Sequence, residues 1–229
     1  MQRLTPILVC LAQMGVFGAA TAAADTDIRI DKACPEAAIE HAQLLAKRPT
    51  PKDVATVARP ALRQQLLLME RQDQDARNRL IAAMANGDPP DDDPTRVYTR
   101  QVDAVNLRQL KHVIDQDGFP TIDMVGVDGV HAAFLLTQHA DDDSAFQERM
   151  LRVVTRRLRS GEINGNQYAL LTDRVLRAQG KPQRYGTQFE KRDDDWKPEP
   201  IADEPHVDER RHALEIGRAS CRERVLRLV

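Results

Sequence analysis

Residues 130–143 read VHAAFLLTQHADDD. The middle of this stretch, Ala132 to Leu136, is apolar on every side. A helix without a polar face is covered by other helices, so the stretch predicts the central member of a helical bundle. Asp128 or Gly129 opens it, after an irregular connector over 119–127, and Gln138-His139 closes it. Asp143 or Ser144 caps the next helix, where Ser144 and Gln147 fit a capping box. That helix runs to Gly161. Another begins at Asn166 and ends at Gly180.

Reading outward toward the N-terminus, a helix ends at Asp117-Gly118, with Gly118 in the position that commonly terminates a helix. Its apolar side is Val102, Val105, Leu110, Val113 and Ile114. Before it, 86–94 is a loop rich in Asp, Gly and Pro. Pro60 suits the first residue of a long helix ending at Met84. The apolar stripe there is Leu62, Leu66 and Met69, then a polar interval, then Ala76, Leu80 and Met84. Pro35 to Lys47 is a shorter helix. Beyond Gly180, 181–201 holds two extended stretches that can form a hairpin about Asp193-Asp194-Asp195, and 206–214 is helical again. The fold class is therefore mainly α: a helical bundle of about six helices with a C-terminal irregular arm or small β-hairpin. Without βαβ alternation, doubly wound and barrel enzymes are excluded.

The first 24 residues have the layout of a secretory signal peptide, with Arg3, an apolar run and Ala22-Ala23-Ala24 before Asp25. The mature chain is then periplasmic or secreted, and carries no membrane segment. At the other end, 215–225 reads EIGRASCRERV. It resembles an in-frame translation of a sequencing adapter, so 215–229 is set aside and the natural C-terminus is expected to lie elsewhere. The organisation is thus a leader over 1–24, an N-terminal helix and linker over 25–59, a helical domain over 60–214 and the tail.

The formal net charge is −2. Setting aside Arg3 and the tail arginines Arg218, Arg222, Arg224 and Arg227 makes the remainder more acidic. That disfavours nucleic acid, which calls for a concentrated basic face. Cys34 is the lone cysteine between leader and tail, so neither an internal disulfide nor a cysteine-based zinc site is expected. There is no glycine-rich phosphate loop, His-Glu-x-x-His or Gly-x-Ser-x-Gly, and no metal or cofactor is implied. The Asp triplets at 91–93, 141–143 and 193–195 read as caps and turns, since calcium loops need alternating oxygen ligands about a glycine.

Four polar groups stand out. Asp73-Gln74-Asp75-Ala76-Arg77 interrupts an apolar stripe; Asp73 and Arg77 can pair along the helix in solvent, or this turn faces something polar. Asn106 lies in mid-helix, where asparagine is a poor former; it is either exposed or held by a specific contact. Gln138 and His139 close the central helix. The imidazole can serve the helix end, or act beside Asp141 as a positioned proton acceptor. Asp173-Arg174, with Gln183, Tyr185, Thr187 and Gln188, offers many hydrogen-bonding groups on an irregular segment. They suit ligand contacts and equally suit an arm strapped to the helices.

Together, Gly118-Phe119-Pro120, Gln138 to Asp141, Asp173 to Val175 and Gly180 to Gln188 resemble an uncharacterised bacterial family, the domain-of-unknown-function family numbered 6624. Asp73-Gln74-x-x-Arg77 and Asn106 also fit its pattern, whereas Phe119 stands where that family has tryptophan. The resemblance implies no reaction. Two readings follow from the residues. One is a polar pocket walled by the four groups, with Arg77 or Arg174 holding a small anionic ligand and His139 as proton acceptor. The other is a non-catalytic interaction module in which the same residues lock the arm to the bundle. The oligomeric state stays open.

Overall fold

The computed structural model describes residues 57–84, 87, 89–192 and 195–217. The leader expected over 1–24, the helix expected over 35–47, the turn expected about 193–194 and the tail from 218 onward lie outside the described residues. The chain is mainly α. Six α-helices are present among the described residues: α1 (Pro60–Met84), α2 (Pro94–Asp117), α3 (Ile122–Gln138), α4 (Ser144–Arg159), α5 (Gly165–Ala178) and α6 (Val207–His212). Strands β1 (Phe189–Arg192) and β2 (Asp195–Pro198) pair antiparallel, with Phe189 opposite Pro198 and Arg192 opposite Asp195. The described residues fall into two compact units, 57–171 and 172–217, with the division inside α5.

In the first unit α3 is central and packs on α1, α2 and α4. Every residue from Ala132 to Gln138 is buried, as an all-round apolar helix requires. Phe134 and Phe146, 2% and 1% exposed, are the largest side chains of this core, and each contributes roughly 1.5–3 kcal/mol by leaving water. The helix starts earlier than expected. Thr121 caps it by accepting from the Met124 amide, so 122–125 is a helical turn rather than irregular chain. A kink follows at Gly126, with φ at 76°. A side chain there would sit 3.0 Å from the Asp128 carboxylate, and one at Gly129 would overlap the Val125 side chain at 2.6 Å. Glycine at both positions lets the turn fold onto the rest of α3. Arg63 of α1 then grips Asp128 in a fork, Nε to Oδ1 at 2.9 Å and Nη2 to Oδ2 at 2.5 Å.

Two sequence expectations shift. In α1 the buried positions are Leu62, Leu66, Met69, Asp73 and Ala76. The stripe is continuous, and Asp73 occupies a core position within it. Leu80 and Met84 are only half-buried. In α2 the inward residues are Thr99, Asn106, Leu110 and Val113, whereas Val105 is 40% exposed. Leu110 and Val113 are inside as expected, but in the first half of α2 an asparagine is inside where the neighbouring valine was expected.

At the start of α4 the cap is Asp143, which accepts from the Phe146 amide at 2.8 Å. Gln147 does not return to the cap. A capping box does form at α5, between Asn164 and Gln167: the Asn164 amide donates to Gln167 Oε1 and the Gln167 amide to Asn164 Oδ1.

The second unit is built on the end of α5. The arm from 181 to 188 leads into the hairpin, and Gln183 bridges in parallel to Ile201. A 3-10 turn at Glu204–His206 then enters α6. From the terminal stretch, Ile216 is 9% exposed and its amide donates to the Arg211 carbonyl.

Candidate functional site

In the first unit the site is built on Asp73, which is 0% exposed. His139 is the residue that terminates α3, and its amide donates to the Leu135 carbonyl. Its Nδ1 meets both carboxylate oxygens of Asp73, at 2.9 and 3.0 Å. Gln74 Nε2 donates to Asp73 Oδ2 at 2.8 Å. Arg77 Nη2 lies 3.6 Å from Asp73 Oδ1 and donates to Asp103 Oδ1 at 3.0 Å. One guanidinium therefore spans two carboxylates, and the solvated intrahelical pair is not what forms.

These contacts set the ionisation of the acids. Burial drives the Asp73 carboxyl upward, but the His139 hydrogen bond and charge, aided by Arg77 and Gln74, outweigh it and hold the group below the usual carboxylate range. Asp103 goes the other way. Burial raises it to about 6 despite Arg77, with the negative charges of Asp73 and Asp141 adding to the rise. Glu70, one turn before Asp73, is raised to about 7 by burial first and then by the charges of Asp73 and Asp128. His131 Nε2 lies 3.7 Å from it.

His139 also lines a cleft of about 30 Å³, together with Arg100, Asp103, Asp141 and Asp142. Carboxylates outnumber guanidinium groups around it, and Arg100 donates to the Asp91 carbonyl at 2.5 Å. Gln147 ties the turn after α3 together: its amide nitrogen donates to the Gln138 carbonyl at 2.9 Å and to Asp141 Oδ1 at 3.0 Å. Gln138 is 7% exposed and enters this network through its backbone carbonyl. Asn106, 3% exposed, points Nδ2 at the Met69 carbonyl, 3.5 Å away. Among the described residues, no cluster of three or more His, Cys, Asp or Glu is arranged to hold a metal ion.

The remaining candidates are organised inside the second unit. Asp173, also 0% exposed, accepts from the amides of Arg184 at 2.6 Å, Tyr185 at 3.0 Å and Thr187 at 3.0 Å. Burial nevertheless keeps its carboxyl above the usual range, because the amides only partly offset the loss of water. The Gln183 side chain serves the same backbone. It accepts from the Gln188 amide and donates to the carbonyls of Gln188 and Glu199. Gln188 Nε2 donates to Thr187 Oγ1 at 2.9 Å. Arg174 is half-buried on α5 beside Asp173.

Sequence reasoning missed Asp103, Gln147, Arg210 and Arg211. Arg210 donates to the Arg184 carbonyl at 2.9 Å and Arg211 to the Tyr185 carbonyl at 2.7 Å. The backbone of Arg184 and Tyr185 is thus held by Asp173 through its N–H groups and by α6 through its oxygens. Consecutive arginines in a short charged helix carry no local sign of this. Gln147 did carry one, but its spacing from Ser144 pointed to a different bond.

A family described as "Family of unknown function (DUF6624)" matches residues 60–229. The chain belongs to this family. The DUF6624 match covers the five helices from α1 to α5 as well as the arm, the hairpin and α6. No curated protein and no solved structure matches the chain.

Proposed function

We propose that the His139 cleft is a small-ligand site whose working group is an imidazole oriented by a buried carboxylate. The observation that carries this is the seat of Nδ1 on both oxygens of Asp73, while the same residue lines a cleft. A carboxylate on one ring nitrogen fixes the tautomer and raises the basicity of the other, which is how histidine is prepared to take a proton. Asp103, titrating at about 6 on the same cleft, is the accompanying acid.

The lining turns the expected ligand from an anion toward a group that bears protons. Arg77 is committed to Asp103 and Asp73, and three aspartates face the cleft with one arginine. With room for about one water-sized group, the cleft takes the head of a ligand, such as a primary amine, rather than a whole metabolite. The leader over 1–24 supports a site of action outside the cytoplasm.

Thermal shift in millimolar methylamine, acetate and phosphate tests the reading. Methylamine should raise the melting temperature of the wild type and leave His139→Asn unmoved. A shift that persists in His139→Asn, or one produced by phosphate alone, overturns it.

For Asp173, Gln183, Tyr185, Thr187 and Gln188 a structural reading is favoured. The Asp173 carboxylate takes its hydrogen bonds from arm backbone, which supports the arm as a strap fixed to α5.

A further inference from the structure

We propose that the outer face of α4 is a docking surface for an acidic helical segment of a partner protein. Four arginines, Arg149, Arg152, Arg156 and Arg159, are exposed on this helix. Their spacing of three, four and three residues places them in one stripe. The opposite face is buried through Phe146, Gln147, Met150 and Val154, so the helix that carries the stripe is anchored in a packed core. Arg149 is further fixed over the Phe146 ring, 5.7 Å from its centroid.

The charge of the stripe is little compensated. Glu148 lies 3.6 Å from Arg152, an exposed pair of small worth. Among the described residues no ion pair joins Arg149, Arg156 or Arg159 to an acidic side chain. On a chain of net charge −2 this is a local reversal of sign.

Three features select the partner. Guanidinium forks bind carboxylates or phosphates in pairs, so the partner is anionic. Along the helix axis the arginines are about 4.5, 6 and 4.5 Å apart, from a rise of about 1.5 Å per residue. Carboxylates repeating at i, i+3, i+7 and i+10 on a facing helix have the same spacing. Finally, the large apolar side chains of α4 are buried or half-buried. Nothing on this face can insert into a bilayer, and membrane attachment by basic helices draws on such insertion.

The test uses the full chain and a fluorescein-labelled alanine-based peptide with glutamates at i, i+3, i+7 and i+10. A second peptide has the same composition with its glutamates distributed around the helix. Anisotropy at low salt should give a Kd on the order of 10 µM for the first peptide. The scrambled peptide should bind at least fivefold more weakly, and the variant Arg152→Gln/Arg156→Gln/Arg159→Gln should lose about tenfold or more. Circular dichroism checks its fold; should it misfold, Arg156→Gln alone should lose about threefold. Equal binding of the two peptides, no binding by the wild type, or equal affinity of a folded variant each overturns the proposal. So does arginine-dependent sedimentation with phosphatidylglycerol vesicles in the absence of peptide binding.

Discussion

Asp73 and Asp173 are buried to the same degree, yet they are satisfied in opposite ways. Asp73 faces side chains that carry or can carry charge, His139 and Arg77, and its carboxyl is held low. Asp173 faces backbone amides, and burial keeps its carboxyl high. The difference lies in what the partners can do when the carboxylate is lost. An imidazole can give up its proton and a guanidinium can turn toward Asp103. An amide N–H in a folded arm can do neither. The first arrangement suits a site and the second a fastening.

The largest effect should come from Asp173→Ala, which leaves the amides of Arg184, Tyr185 and Thr187 unsatisfied. At roughly 1–3 kcal/mol for each buried orphan, a loss of about 4 kcal/mol is expected. Urea denaturation measures it, and a loss under about 1 kcal/mol would break the comparison. Asp73→Ala should be milder, about 2–3 kcal/mol at neutral pH, because His139 can deprotonate. Its signature is the acid limb. A group with a depressed carboxyl contributes stability above its unfolded value of about 3.8, and that contribution is lost as pH falls through the lower folded value. The gap between wild-type and variant melting temperatures should therefore narrow as pH falls below about 3.8.

Gln74→Ala removes the one neutral donor on Asp73 and should cost about 1 kcal/mol, seen as a fall of about 2–4 °C. Glu70→Gln should have the opposite sign, with an effect that depends on pH. Its carboxyl rises from 4.5 to about 7 on folding. The stability tied to that rise is fully present below 4.5 and is lost as pH climbs through about 7. The variant should match the wild type near pH 4 and melt about 5 °C higher at pH 8, after discounting the shift for partial exposure. Because the Asp73 charge adds to the rise, Asp73→Asn should bring the Glu70 midpoint down in an NMR titration. An unmoved midpoint would mean that the two carboxyls do not sense each other.

Much of the fold was legible in the residues. The all-round apolar stretch 132–136 marked α3 as central, and Pro60, Gly118 and the Asp-rich joints marked helix ends. Asn106 and Val105 show where legibility stopped. One residue of rotation separates a buried asparagine from a buried valine, and periodicity over a weakly amphipathic helix does not resolve it. The site was legible in part. Asp73, Arg77 and His139 stood out as polar residues in apolar surroundings, and they meet. Asp103, which meets them too, lies on another helix among ordinary polar neighbours and had nothing local to distinguish it.

What the sequence by itself determined is what acts within a few residues: helix periods, helix ends and the hairpin. Tertiary structure decided the role of each polar side chain. A glutamine at 147 looked like a cap and became a bridge to Asp141; one at 183 suited a ligand contact and an arm strap alike, and it bonds arm backbone. A hydrogen-bonding group in the interior takes the nearest complementary atom, and packing of distant segments sets which atom that is.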